Sequence, residues 1–337
     1  MHVLVTGGAG FIGSHLVRQS LSGAYPELGT VRVTVLDKLT YAGNLANLEP
    51  VVGHPGLEFV QGDICDQALV QRLVADVDLV VHCAAESHVD RSISDAAEFV
   101  RTNVEGTRTL LQAAVDAGVG RFLHVSTDEV YGSIAEGSWS EDHPVAPNSP
   151  YAATKAASDL LALAYHRTHG LPVCVTRCSN NYGPYQYPEK IIPLFTTHLL
   201  DGHRVPLYGD GRNSRDWLHV DDHCRALALV AAGGRPGEVY NIGGGTELTN
   251  VELTDRLLGL CGADRTAVRR VADRKGHDLR YCVDVTKIGT ELGYAPRVEL
   301  AEGLADTVAW YRDNRTWWEP LKAPVTTAVG TPDEVGV

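Results

Sequence analysis

The stretch His2-Val3-Leu4-Val5-Thr6-Gly7-Gly8-Ala9-Gly10-Phe11-Ile12-Gly13 decides the fold of this 337-residue chain. Its first five residues form a nearly continuous apolar run, the pattern of a strand buried on both faces. A glycine-rich turn follows, and Phe11–Leu21 then shows apolar residues at helical spacing. The turn satisfies both Gly-x-Gly-x-x-Gly from Gly8 and Gly-x-x-Gly-x-x-Gly from Gly7. Glycine supplies backbone angles that other residues avoid and lets a pyrophosphate approach the N–H groups that open a helix. Glycine-rich turns are common, so the signal lies in the position, between the first strand and the first helix.

Working outward, strand-like runs recur at Val31–Leu36, Leu57–Val60, Asp78–Val81, Arg121–Val125 and Val173–Arg177, with helical stretches between them. Crossovers of a dozen to more than twenty residues suit parallel βαβ connections. Six such strands predict an α/β fold with a doubly wound parallel sheet. Asp37 closes the second strand at the distance where a carboxylate accepts ribose hydroxyls, and it would repel a 2′-phosphate. The expected cofactor is therefore NAD rather than NADP, although Lys38 stands beside it. Asp63 and Ile64 after the third strand, and Cys83, Ala84 and Ala85 after the fourth, fall where the adenine and the middle of the dinucleotide would lie. Their plain alternative is ordinary strand-end residues.

After about Asn180 the texture changes. Pro184, Pro188, Pro193 and Pro206 break the rhythm, and Tyr, Arg and Trp become frequent. This reads as a smaller, irregular α/β part, with Glu238–Ile242 and the glycines after it a candidate return to the first sheet. The expected division is 1–180 plus about 216–245 for a cofactor domain and about 181–215 plus 246–320 for a substrate domain. Residues 321–337, rich in Pro, Thr and Val, read as a mobile tail.

Composition narrows the partners. Twenty-nine Lys and Arg against 42 Asp and Glu give a net charge of −13, which disfavours nonspecific binding to nucleic acid or anionic membrane. A hydrophobic share of 44% with 21% charged residues excludes wholesale disorder. The seven Cys contain no Cys-x-x-Cys pair, so neither a disulfide framework nor a zinc cage is suggested, and no metal is expected. Apolar runs such as Ala226–Ala232 are far shorter than a membrane span. With a strand pattern starting at His2, the reading is a cytoplasmic protein.

The reactive residues follow the fifth strand. Tyr151-x-x-x-Lys155 sets a phenol and an ammonium on one helix face. A phenol of ordinary pKa near 10 is a poor base at neutral pH, and a cation one turn away favours its phenolate. Ser126-Thr127 ends the preceding strand. A hydroxyl, a Tyr and a Lys around a dinucleotide are the parts for moving a proton and a hydride together. Asp128-Glu129 comes next, and two carboxylates in different environments can hold acid and base roles at once. Neighbours in a regular strand point to opposite faces, so the pair can cooperate only if the backbone turns there. The plain alternative is a solvated acidic loop.

At these residues the chain resembles the extended short-chain dehydrogenase/reductases over nearly all of 1–320. Within them it looks like the dTDP-glucose 4,6-dehydratases, through Ala84–Ile93 (AAESHVDRSI), Ser126–Gly132 (STDEVYG), Tyr151–Lys155 (YAATK) and Asn180–Lys190 (NNYGPYQYPEK). The resemblance implies Thr127, Asp128, Glu129, Tyr151 and Lys155 as the catalytic group. For the cofactor it implies Gly7, Gly10, Phe11, Ile12, Gly13, Asp37, Lys38, Leu39, Thr40, Asp63, Ile64, Cys83, Ala84, Ala85, Thr102 and Asn181, with Tyr151 and Lys155. For the substrate it implies Ser87, Thr127 and Asn180 on the sugar, and Lys190, Ile191, Pro206, Leu207, Tyr208, Arg215, Asn250, Asp273, Arg274 and His277 on the nucleotide diphosphate. Arg215 suits a phosphate and Tyr208 a stacked base. Among the basic residues near the end, Arg269 and Arg270 can equally be solvated, and His82 and His88 read as hydrogen-bonding residues.

The activity implied is dehydration of dTDP-glucose in deoxysugar biosynthesis. The alternatives are an NDP-sugar 4-epimerase or decarboxylase on the same scaffold, and a noncatalytic cofactor-binding regulator. The helix Tyr151–His166 is apolar round almost its whole circumference, which demands burial all round. Its stripe Ala153, Ala157, Leu161 and Ala164 would be covered by a second copy, as in the family's dimers, or by the chain's own helix near Asn103–Ala117.

Overall fold

The computed structural model describes residues 1–273 and 275–322, so the tail expected over 321–337 lies, beyond Lys322, outside the described residues. Seven parallel strands form the main sheet: β1 (His2–Thr6), β2 (Arg32–Asp37), β3 (Leu57–Gln61), β4 (Leu79–His82), β5 (Arg121–Thr127), β6 (Val173–Cys178) and, after the small strands below, Val239–Ile242. The last pairs parallel with β6, with Val239 opposite Val175, so the candidate return at Glu238–Ile242 adds a seventh strand to the six read from the first part of the chain. From one edge the order is Val239–Ile242, β6, β5, β4, β1, β2, β3.

Alternation explains the apolar runs. Val3 and Val5 enter the core on one face with Val33, Val35, Leu79 and Val81, whereas Leu4, Leu36 and Val80 enter the core on the other. Both cores are therefore fed by the same strands, each fully buried Val or Leu contributing roughly 1.5–3 kcal/mol of transfer free energy. Helices Phe11–Leu21 and Val220–Gly233 close the first face, with Leu16 and Val17 against Leu227 and Ala228. Helices Gln67–Val74, Thr107–Ala117 and Pro150–His169 close the second through Val70, Leu110, Leu111 and Ala162. The crossovers thus leave β1 toward one face and β4 toward the other. A crevice opens at their carboxyl ends, where doubly wound sheets bind ligands.

The second part is more regular than its prolines suggest. Its strands are β7 (Asn180–Tyr182), β8 (Val205–Tyr208), β9 (Ser214–His219), β11 (Glu247–Thr249) and β12 (Val268–Val271), β10 being the Val239–Ile242 strand of the main sheet. β7, β9 and β11 form one small sheet, and β8 pairs parallel with β12. Helices Ile191–Leu200, Asn250–Cys261 and Leu300–Asp313 cover them around Ile192, Phe195, Leu253, Leu257, Leu304 and Val308. No helix of the described residues is long and apolar enough to cross a membrane.

Candidate active site

A continuous cavity of about 470 Å³ runs from the glycine turn, across the carboxyl ends of β1, β4, β5 and β6, to the wall built by β8, β9 and helix Asn250–Cys261. At its first end the glycines are required by contact. Gly7 has φ +69°, and a Cβ there would sit 2.6 Å from the Ala84 nitrogen; a Cβ on Gly13 would sit 2.3 Å from the Gly7 carbonyl oxygen. Gly10 opens helix Phe11–Leu21 with no side-chain cap and no acidic residue in the first turn. The helix terminus is left as a bare set of N–H donors carrying the positive end of the dipole, a fit for a pyrophosphate.

Asp37, at the end of β2, accepts the Ala9 N–H at 2.9 Å and the Leu39 N–H at 2.8 Å. Burial raises its carboxyl pKa, and these two backbone donors oppose the rise. Leu39 was expected to touch the cofactor. It faces the core instead, with φ +56°, and serves the site through its N–H. Asp63 is held by Lys38 at 3.0 Å and Arg101 at 3.1 Å. Gly10, Phe11, Ile12, Thr40, Ile64, Cys83, Ala84, Ala85, Thr102 and Asn181 all line this part of the cavity.

At its centre the chain resolves the strand-parity problem. β5 stops at Thr127, whose hydroxyl accepts the Glu129 N–H at 3.2 Å and caps a 3₁₀ turn over Asp128–Tyr131. Successive residues of a 3₁₀ turn are about 120° apart rather than opposite. Asp128 and Glu129 therefore both line the cavity, together with Thr127, Tyr151 and Lys155. Asp128 is 2% exposed, and its Oδ2 has no hydrogen-bond partner. Burial, then Glu129 and Asp216, push its carboxyl pKa well above the usual carboxylate range, against a smaller pull from Arg215. Tyr151 is likewise buried, and burial, then Glu129, hold its phenol well above its ordinary value while Thr127 draws it down. Lys155 donates to the Val125 carbonyl at 2.8 Å; burial lowers its pKa and Asp159 opposes that.

At the far end Arg215 is 5% exposed, donating to the carbonyls of Ser214 at 2.7 Å and Asp278 at 2.9 Å with its guanidinium over the Tyr281 ring. Lys190, Ile191, Pro206, Leu207, Tyr208, Asn250 and His277 line this end, and Ser87 and Asn180 the middle. Asp273 lies off the cavity and reaches it through His277, whose Nδ1 is 2.6 Å away. Arg274 lies outside the described residues. Arg269 and Arg270 are exposed on β12, Arg270 donating to the Gly209 carbonyl. His82 is bonded between Thr6 at 2.7 Å and Thr107 at 2.9 Å, and His88 caps its helix.

Several lining residues escaped the sequence reading: Glu86, Asp90, Gln186, Tyr187, Glu189 and Trp217. Most fall inside the quoted motifs, yet no spacing rule selects them. Asn103 escaped for another reason, since it acts one layer out. Its side chain exchanges bonds with the Glu86 N–H (2.9 Å) and carbonyl (3.0 Å) and donates to Thr154 at 2.9 Å, tying the loop after β4 to the Tyr151 helix.

Comparison with known proteins agrees with this geometry. The family model for GDP-mannose 4,6 dehydratase matches residues 4–307. A dTDP-glucose 4,6-dehydratase of Streptomyces niveus is 64% identical over 336 residues, 100% of each chain. The chain belongs to this dehydratase family of extended short-chain dehydrogenase/reductases. DesIV, the dTDP-glucose 4,6-dehydratase of Streptomyces venezuelae, was solved with NAD and dTDP bound; it superposes with TM-score 0.95 at 68% identity, over 96% of this chain and 100% of its own. A UDP-glucose 4-epimerase of Thermotoga maritima, solved with UDP-glucose, shares the fold at TM-score 0.85 but only 33% identity, over 93% and 99%. The dehydratase family is thus the nearer by sequence, while the scaffold alone does not separate the two chemistries.

Proposed function

We propose that the chain is an NAD-dependent hydro-lyase that converts dTDP-glucose to dTDP-4-keto-6-deoxyglucose in deoxysugar biosynthesis. One observation carries the reading: a buried carboxyl of raised pKa at Asp128 beside a half-buried one at Glu129, in one cavity with Tyr151 and Lys155. An epimerase eliminates no water and has no use for such a pair. The glycine cradle, the open helix terminus and the oriented Asp37 fit NAD.

When bound, NAD takes a hydride from carbon 4 of the sugar and returns one to carbon 6. The protein's task is to place protons around that exchange. Tyr151 accepts the proton of the 4-hydroxyl, with Thr127 donating to the phenolate and the Lys155 charge one turn away favouring it. The ketone at carbon 4 acidifies carbon 5, and Glu129 removes that proton and gives one back to carbon 5 when hydride reaches carbon 6. Asp128 protonates the departing 6-hydroxyl, a role suited to the more buried carboxyl of the pair, whose pKa burial and the neighbouring Glu129 push up. Arg215, Lys190 and Asn250 hold the nucleotide diphosphate, while Ser87 and Asn180 orient the sugar. In this reading residues 1–180 with about 216–245 carry NAD, and about 181–215 with 246–320 carry the nucleotide sugar.

The enzyme works in the cytoplasm, a reading supported by seven cysteines carried as thiols. It works as a homodimer. The stripe on helix Pro150–His169 supports this: Ala153 and Ala164 stay exposed and Ala157 and Leu161 half-buried, with the exposed Leu160 beside them, although helix Thr107–Ala117 packs alongside.

Asp128→Asn and Glu129→Gln test the assignment. Each variant is expected to oxidise dTDP-glucose and accumulate a transient absorbance of reduced cofactor, while water loss slows by about 10²–10⁴-fold. Only Glu129→Gln should also lose exchange of the carbon-5 proton with solvent deuterium. Mass spectrometry of the wild-type product decides the alternatives: loss of water, an isomer, or loss of carbon dioxide. Wild-type turnover in both variants would make the pair a solvated loop.

A further inference from the structure

Beneath the reactive helix lies a set of buried ionisable groups that the steps above do not use. Asp159 is 0% exposed and sits one turn beyond Lys155 on helix Pro150–His169. Its Oδ2 accepts from Arg177 Nε at 2.9 Å, and its Oδ1 lies 3.4 Å from His124 Nε2. His124 on β5 is 0% exposed and Arg177 on β6 is 4% exposed. The Arg177 guanidinium also lies over the Tyr131 ring at 4.6 Å, and the Tyr131 hydroxyl donates to Asn241 at 2.9 Å. Tyr131 is the last residue of the 3₁₀ turn that bears Asp128 and Glu129. The cluster therefore touches both halves of the reactive apparatus: the Lys155 helix directly and the carboxylate turn through Arg177.

We propose that Asp159 is a positioning residue for the dehydration, the buried counter-charge that keeps the Lys155 ammonium in place one turn from Tyr151 and, through Arg177, braces the turn carrying the two carboxylates. The proposal rests on the reading of Tyr151 and Lys155 as the proton-handling pair.

The charge count explains why such a group is needed. Around Lys155 stand Asp159 on its own helix, the Cys83 thiol and His82 from β4 and its end, His124 from β5 and the Cys178 thiol from β6, while Arg177 from β6 pairs with Asp159. Burial, with the Lys155 charge adding to it, keeps both imidazoles neutral. The fixed charges in this dry layer are then two cations and one carboxylate. Burial alone would raise the Asp159 carboxyl, but His124 and Arg177 more than offset it and hold it ionised. Without Asp159 the two buried cations, Lys155 and Arg177, would share this layer with no anion to balance them, an arrangement the interior does not tolerate. Arg does not give up its proton, so Lys155 would.

Opposite-signed variants test this in the NAD-loaded enzyme. Lysine labelled with carbon-13 at the ε-carbon reports the charge of Lys155 directly, its signal assigned by loss in Lys155→Met. In Asp159→Asn the Lys155 titration is expected to fall by ~1 pH unit or more, the size of effect a close opposite charge exerts. The alkaline limb of kcat should move down with it, while the KM for dTDP-glucose changes less than about twofold. In Arg177→Gln, where the carboxylate stays and a competing cation goes, both should move up. A purely structural role would lower folded yield in either variant without moving the titration, and that result overturns the proposal. Arg177→Gln alone decides the matter if Asp159→Asn does not fold. Because the carbon-13 signal does not depend on turnover, a wild-type protein that dehydrates nothing would refute the proposed function and leave this charge relation to be judged by its own titration.

Discussion

At the scale of single residues, the site works by pushing like groups apart. After burial, Glu129 does most to raise the pKa of both Asp128 and Tyr151, so one carboxylate makes its neighbouring acid and the phenol harder to ionise. Glu129→Gln removes that influence. Because the phenolate becomes easier to form, the acid limb of sugar oxidation, read as single-turnover absorbance at 340 nm, should move to lower pH. Because Asp128 also loses its proton more readily, whatever water loss remains should fade at a lower pH than in the wild type. Limbs that stay in place would mean that Glu129 does not face these groups when the cofactor is bound. Asp37 is a simpler case. Its two oxygens are each fixed by a backbone N–H, leaving the outward lone pairs for the ribose. Asp37→Ala should weaken NAD binding about tenfold or more, since hydrogen bonds to charged groups are worth about 1.5–3 kcal/mol each. NADP binding should suffer less, so the preference narrows; equal affinities in the unmutated protein would remove the carboxylate's selective role.

At the scale of elements, what was legible depended on what each strand buries. The main parallel sheet is read correctly because its strands are apolar on both faces, and helix Phe11–Leu21 keeps its expected bounds. Three strand ends ran one residue further, to Gln61, His82 and Cys178, since backbone pairing continues after the apolar residues stop. The small sheets were hidden by their side chains. β9 buries Arg215 and Asp216, β8 contains Pro206, and β12 exposes both of its arginines. The 3₁₀ turn at Asp128 was legible only as a requirement: its Thr127 cap is a common residue in a common place, and only coordinates reveal it. Asn103 left no signal because its two partner residues, Glu86 and Thr154, lie 17 and 51 residues away from it in sequence. Asn103→Ala removes three hydrogen bonds at about 0.5–1.5 kcal/mol each, so a loss of ~2–3 kcal/mol in denaturant unfolding is expected. NAD affinity should fall as well, because the loop Ala84–His88 loses its anchor. Unchanged stability would mean that water replaces Asn103 without cost.

At the scale of the molecule, helix Pro150–His169 faces two ways. Its buried side carries Tyr151, Lys155 and Asp159, and Ala162 joins the core with Leu110 and Leu111. Helix Thr107–Ala117 runs beside it, and Tyr165 donates to Gln112 at 3.2 Å across the pair. That neighbour leaves the opposite side bare, where Leu160 is 56% exposed between Ala153 and Ala164. A twofold axis along this stripe would cover the same residues on both copies at once. Small residues let the backbones approach, and each fully buried Leu160 would contribute about 1.5–3 kcal/mol. The wild-type protein should therefore sediment at twice the chain mass at micromolar concentration. Leu160→Asp places a charge in the stripe on both sides and should shift the protein to a monomer that still binds NAD, because Leu160 lies on the face away from the cavity. Its melting temperature should fall and lose the dependence on concentration that a dimer shows. A wild type that sediments as a monomer, or a Leu160→Asp variant that stays dimeric, would assign the stripe to solvent and the dimer to another face.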